Sequence, residues 1–306
     1  MSASPDQTFF QRQHRRAVRE VARQLERLTV ARPRLGLSLS ARLADLVVPR
    51  LREPFRAPAS GLVEAVLGPI EPAEAERIRL EIASQEFRNA ALRHVIREQG
   101  PHRIERLIER IDAGPLLRLR EAGTTVVTVS WHQGPTRAHA GALRRLGFAA
   151  LLATTNEDPA SPEDAGPVRF HRIRRDLSDA RFLIEAREAL ARGELVGLNL
   201  DWRQARGAEV VVLGRRIALA GGALWLARTA GARLVPVTRR WLGCTAGIEV
   251  TFHEPLPEPR ASRADARAFE AELAAAAGAF FDGHLRREPG TLRLSRLRYY
   301  ARAPRA

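Results

Sequence analysis

The sequence predicts an α/β fold, a mostly parallel sheet flanked by helices and preceded by a helical N-terminal portion. Three observations carry this. Thr124-Thr-Val-Val-Thr-Val129 reads as a buried strand rich in β-branched residues. After it, short apolar runs alternate with amphipathic segments, the pattern of strand-helix-strand units. Before it, from Phe9 to about Ile111, apolar residues recur at intervals of three and four, as on one face of a helix. No internal repeat or low-complexity linker interrupts the chain, so residues 1–120, the helical portion, and 121–306, the α/β core with its C-terminal helix, form one continuous domain.

The elements follow in order. Val18, Val21, Leu25 and Leu28 share one helix face, opposite arginine and glutamate, and that face packs on the core or lies on anionic lipid. Ser40 caps a short helix carrying Leu43, Leu46 and Val47, which Pro49 stops. A longer helix starts at Pro72, runs through Ile78 and Ile82 and ends near Gly100-Pro101. In the core, Arg137 to Leu146 is helical and Phe148 to Ala153 a strand. Ser178 caps a helix with Phe182, Leu183, Ala186 and Leu190 that Gly193 closes. Leu195 to Leu200 and Glu209 to Leu213 are strands, Gly222 to Thr229 a helix, Leu234 to Val237 and Gly247 to Phe252 strands. Ser262 opens a final alanine-rich helix with Phe269, Leu273, Phe280 and Phe281 on its apolar side.

Composition narrows the partners. The formal net charge is +15, with 50 basic against 35 acidic residues, and an anionic partner follows: nucleic acid, an anionic membrane surface or an acidic ligand. Every basic residue is arginine, a compositional bias, so the excess over acids carries the argument rather than the arginine count. Aromatics are 6% and are not interleaved with the arginines, and no helix-turn-helix, zinc or RNA-binding signature accompanies the charge, so nucleic acid is not expected. Cys244 is the single cysteine, which excludes an internal disulfide and a thiolate cluster and reads as a small buried side chain. No run of about 18 apolar residues occurs and Met1 to Arg16 is polar and basic, so the expectation is a cytoplasmic protein, or one peripheral on the inner membrane.

The chain holds no P-loop, Gly-x-Gly-x-x-Gly turn, Gly-x-Ser-x-Gly elbow or His-Glu-x-x-His helix. It does place His132, in Trp131-His132-Gln133-Gly134-Pro135, directly after the Thr124 strand and before a helix. That is where ligands bind in open α/β sheets. A histidine there is either a general base at neutral pH or a structural strand-end residue. Asp201 ends a strand that can neighbour the His132 strand, as an orienting acid or as the cap of the next turn. Arg215 and Arg216, after Gly214, hold a phosphate or stand exposed. Arg169, Arg172, Arg174 and Arg175 surround His171 as an anion-binding segment or a solvated face. His171 with Asp176 and His253 with Glu258 are five residues apart, but chance alone predicts about one such pair in this composition.

Several blocks in succession resemble one family. Val126 to Pro135 is similar to the strand and turn bearing the His-x4-Asp/Glu motif of lysophospholipid acyltransferases and of the lauroyl-type acyltransferases of lipid A synthesis. Ala189-Leu-Ala-Arg-Gly-Glu-Leu-Val-Gly-Leu-Asn-Leu-Asp201 resembles that family's lead into a strand ending in aspartate. Val212-Leu-Gly-Arg215, Gly222-Ala-Leu-Trp-Leu-Ala227 and Thr229-Ala-Gly-Ala-Arg-Leu-Val-Pro-Val237 follow in the family's order, and the likeness spans roughly Thr124 to Phe252.

The resemblance implies the glycerol-3-phosphate acyltransferase-like fold of the lysophospholipid acyltransferase superfamily, closest to the lipid A branch. It also implies transfer of a fatty acyl group from acyl-carrier protein or coenzyme A, as co-substrate, to a hydroxyl of a lipid or other amphiphile. No metal and no bound cofactor are implied. His132 becomes the base and Asp201 its orienting acid, with Gln133, Gly134 and Arg137 as substrate contacts beside them. Arg169, Gly214, Arg215, Arg216 and Gly222 are the further substrate contacts. One departure stands out: five residues after His132 the family has Asp or Glu and this chain has Arg137, which opposes protonation of His132. The alternative is therefore a member that has lost catalysis and binds lipid or a partner protein.

Overall fold

The computed structural model describes residues 23–47, 61–154, 166–173, 180–201, 207–243 and 245–306. Residues 23–31 are helical, and α1 (Pro33–Val47), α2 (Leu62–Leu67) and α3 (Pro72–Gln99) follow. A 3₁₀ segment, Pro101–Leu107, leads into β1 (Ile108–Asp112) and α4 (Gly114–Glu121). Then come β2 (Val126–Ser130), α5 (Ala138–Arg145), β3 (Ala150–Thr154), β4 (Val168–Arg172), α6 (Ala180–Ala191) and β5 (Leu195–Asn199). The hairpin β6 (Glu209–Val212) and β7 (Arg215–Ala218) precedes α7 (Gly221–Ala230), β8 (Arg233–Trp241), β9 (Ile248–Phe252), α8 (Ala266–Arg287) and α9 (Leu294–Arg302).

Seven strands pair in the order β1-β9-β8-β2-β5-β3-β4, and the run from β8 to β4 is parallel throughout. The central strands β2 and β5 are buried on both faces because both faces are covered, as parallel sheets require, while the edge strands β1 and β4 carry charged residues. Val127, Val129, Leu151 and Val196 enter one core with Phe182, Leu224, Phe281 and Tyr300. Val126, Leu152, Leu195 and Val235 enter the other with Leu37, Leu116 and Leu143. Neighbouring residues of one strand thus feed opposite cores, the period-2 alternation of a pleated strand. The long helix α3 serves both, through Ile78 and Ile82 on one side and Leu92 on the other.

Several expectations need correction. Ser40 does not cap a helix: it lies inside α1, its hydroxyl donating to the Gly36 carbonyl at 2.8 Å, because the helix begins seven residues earlier at Pro33. The alanine-rich helix is capped by Asp265, whose carboxylate accepts from the Ala268 amide, rather than by Ser262. It is not the last helix, since α9 follows. The helical portion also supplies a strand, β1, which pairs parallel to β9 at the sheet edge, so the division at residue 120 cuts across the sheet. Beyond Val237, β8 continues to Trp241 and pairs antiparallel with β9. Val18, Val21, Pro49, Arg174, Arg175, Asp176, Ser178 and Cys244, and the side chains of Leu46 and Val47, lie outside the described residues.

Candidate active site at the ends of strands β2 and β5

β2 and β5 are adjacent and parallel, with Ser130 opposite Asn199. Two residues on, each chain carries the side chain that matters, so the same register brings His132 beside Asp201. The Ser130 hydroxyl donates to Asn199 Oδ1 at 2.6 Å, forming the lower row of a small square. The upper row is His132 Nδ1 at 2.6 Å from Asp201 Oδ1, an oxygen that also accepts the His132 backbone N–H at 3.0 Å. From β2 the chain moves to β3 and β4 on one side and later to β8 on the other, so the pair sits at the switch point of the sheet.

Asp201 is fully buried, and an ionised carboxylate in that position costs several kcal/mol unless it is paired. Its pairing comes from both sides. Arg296, on α9, donates through Nη1 to the Asp201 carbonyl at 2.6 Å and holds Nε 3.3 Å from Oδ2. Burial pushes the Asp201 carboxyl up, but the positive charges of His132 and Arg296 and the hydrogen bonds from His132 outweigh it and hold the carboxyl below its ordinary range. Arg296 Nη2 also lies 2.8 Å from His132 Nδ1. Nδ1 has either one proton or one lone pair. Nδ1 cannot serve both neighbours: the shorter contact, to a carboxylate, is a hydrogen bond only with Nδ1–H donating to Asp201, and that tautomer puts the lone pair on Nε2 and leaves two N–H groups facing each other across the 2.8 Å to Arg296.

The imidazole, 16% exposed, lines a cavity of about 440 Å³ at the sheet edge. Leu92 and Ile96 from α3, Leu152 from β3, Phe170 from β4 and Phe182 from α6 give it apolar walls. Arg93, Arg137, Arg239 and Arg293 give it cations, and no carboxylate lines it among the described residues. Arg239 is 3% exposed, its Nη2 donating to the Trp131 carbonyl at 2.6 Å and Nη1 to Thr136 at 3.2 Å. Burial lowers its pKa to about 10, still a cation at neutral pH. His139, also on the lining, is lowered to about 3 by burial and by Arg239, and so is neutral there.

The remaining candidates fall into three groups. Arg137 and Gly222 line the cavity with His132, Arg137 lying over the Phe170 ring at 5.4 Å. Gln133 and Gly134 do not reach it: Gln133 is fully buried and Gly134 lies under the β8 backbone. Gly134 has φ +54, and a Cβ there would stand 2.0 Å from the Arg239 carbonyl oxygen, so glycine is needed to let the turn after His132 lie flat on β8. Arg169, Gly214, Arg215 and Arg216 are elsewhere. Arg169 is paired with Glu185 at 3.3 Å and Glu194 at 2.5 Å. Gly214 completes the two-residue turn of the β6-β7 hairpin with Leu213, both with positive φ. Arg215 is 8% exposed and donates to the Ala303 carbonyl at 3.1 Å and to the Ala65 carbonyl, so it ties α2 to the C-terminal segment; Arg216 is exposed on the same hairpin. Neither contributes to the cavity lining, because the hairpin pairs outside the main sheet, and Arg216 stands exposed, one of the two readings the sequence left open.

Sequence reasoning missed Ser130, Asn199, Arg239 and Arg296. The first two carried a signal, since each stands two residues before a candidate on strands expected to be neighbours. Arg296 carried none, being one of 50 arginines and 95 residues beyond Asp201. Among the described residues no group of three or more histidine, cysteine or acidic side chains converges as a metal centre would need. No known family model matches the chain, and no curated protein is significantly similar to it.

Proposed function

We propose that this chain transfers a fatty acyl group from a thioester, acyl-carrier protein or coenzyme A, to a hydroxyl of an amphiphilic acceptor, as a member of the lysophospholipid acyltransferase superfamily close to its lipid A branch. The observation that carries the reading is the His132–Asp201 pair, 2.6 Å between Nδ1 and Oδ1, on the lining of an apolar cavity with a cationic rim. Nε2 takes the acceptor's hydroxyl proton as its oxygen attacks the thioester carbonyl. The new C–O bond forms, the C–S bond breaks, and the proton passes from the imidazolium to the departing thiolate. Asp201 keeps the ring in the required tautomer and stabilises the imidazolium. Apolar walls suit an acyl chain and the arginines suit phosphate or carboxylate groups.

The net charge of +15 supports work at an anionic membrane surface. No helix among the described residues is long and apolar enough to cross a membrane, and the reading is of a cytoplasmic protein that meets the inner membrane peripherally. The competing reading, a lipid- or protein-binding member without catalysis, draws on Arg137 in place of the family's acid. Thiol release from a long-chain acyl coenzyme A, with product identified by mass, separates the two. His132→Ala should lower that release by at least ~10²-fold in protein that circular dichroism shows to be folded, with a lowered melting temperature because the buried Asp201 loses one partner. A variant that transfers as well as wild type overturns the mechanism.

A further inference from the structure

We infer that Arg296 is a positioning residue for the proposed base: its guanidinium holds the Asp201 main chain and carboxylate in place and sets a fixed positive charge against His132 Nδ1, where it opposes a second proton on the ring. The inference rests on His132 being the base. Its support is geometric. Three guanidinium nitrogens meet three different atoms of the pair: Nη1 the Asp201 carbonyl at 2.6 Å, Nε the carboxylate Oδ2 at 3.3 Å and Nη2 the imidazole Nδ1 at 2.8 Å. The Arg296 side chain is 7% exposed and Asp201 fully buried, so water screens these contacts little.

Asp201 takes two N–H contacts from His132, and a fixed full charge meets it from the other side. Arg296 is the cation in contact with it. Once Nε2 has taken a proton, the imidazolium faces that guanidinium across 2.8 Å, and the repulsion favours passing the proton on to the leaving group. The other charges on the His132 side of the site act in the same sense: Arg93 from α3, Arg137 from the start of α5, Arg239 from β8 and Arg293 just before α9 line the cavity, and all are cations. Asp201, from the end of β5, is the carboxylate that opposes them.

The test needs no substrate. In the full chain labelled with ¹⁵N-histidine, the His132 ring is titrated by NMR. Arg296→Met should raise its midpoint by about one pH unit, because the guanidinium no longer repels the imidazolium across 2.8 Å, and Arg296→Lys should restore it towards the wild-type value. An unchanged or lowered midpoint in Arg296→Met overturns the inference. Arg296→Met can cost the fold, so Asp201→Asn asks the same question from the other side. With the carboxylate gone and the guanidinium kept, His132 should titrate clearly below the ordinary value of about 6.5, and a midpoint at or above it also overturns the inference. A wild-type chain that consumes no thioester while its variants show these shifts defeats the proposed reaction and supports the charge arrangement.

Discussion

Among the described residues, two histidines hold Nδ1 2.6 Å from a carboxylate oxygen, His132 on Asp201 and His171 on Glu185, and they differ in the burial of the acid and in what lies beside the ring. Asp201 is fully buried, whereas Glu185 is 33% exposed and shared with Arg169, itself paired to Glu194. His132 follows β2 in the middle of the sheet; His171 lies on β4 at its edge, its ring packed on Phe182 at 5.2 Å. His132 lines the cavity and His171 does not. A half-solvated ion pair is screened and worth little, while the same contact in the interior is strong and fixes one geometry. Contact distance therefore does not identify a catalytic pair; burial of the acid and an opening beside the ring do.

The largest effect should come from exchanging the acids. Asp201→Asn should lower acyl transfer on the order of 10²-fold or more, since an amide can turn its NH₂ toward Nδ1 and hold the wrong tautomer. Glu185→Gln, the same change at the same distance, should alter turnover by less than about threefold. Steady-state rates of the two purified variants decide it, and an equal loss in both would erase the distinction between the sites.

A third class of histidine has burial but no carboxylate beside it. His284 is lowered to about 4 by burial, then by His253, Arg287 and Arg240, and His139 to about 3 by burial and Arg239. Their folded pKa values lie below the unfolded value of about 6.5, so between those limits the unfolded chain binds protons that the folded chain does not. The stability held above pH 6.5 is then lost as pH falls towards 4 and 3. Each group should cost about 2 kcal/mol by pH 5, seen as a falling denaturation midpoint from pH 7 to pH 5. His284→Asn should flatten that slope.

The centre of the fold was legible because its signals are local. β-branched runs such as Val126 to Val129 have to be buried on both faces, and a histidine directly after one falls at the sheet's carboxyl edge. The approach of Asp201 to His132 was legible as a possibility, and the β2-β5 register realises it. What escaped depends on contacts between distant segments. β1 has a weak local pattern, with exposed Glu109 and Arg110, while α9 is short but amphipathic, burying Leu297 and Tyr300, and both pack on elements far away in sequence. Arg296 and Tyr300, which accepts a hydrogen bond from Trp131 Nε1, reach the back of the site only because α9 folds onto it. Arg215 was open to two readings, a phosphate contact or an exposed cation, and neither local pattern places it; it lies on a hairpin and serves distant backbone carbonyls.

The smallest effect tests the position where the family's acid is replaced. Arg137 stands over the Phe170 ring at the cavity, and the proton-bearing Nδ1 of His132 is already held by Asp201. A carboxylate introduced at 137 would find that nitrogen occupied, so Arg137→Glu should change kcat by less than about threefold. It also reverses one of the cations that line the cavity, so KM for an anionic donor or acceptor should rise by about threefold to tenfold, an effect that weakens with added salt. Separate kcat and KM values at two ionic strengths make the measurement. A tenfold gain in kcat would mean that the acid at 137 orients the imidazole better than Asp201 does, and the distinction between the His132 and His171 pairs would then rest on the cavity alone.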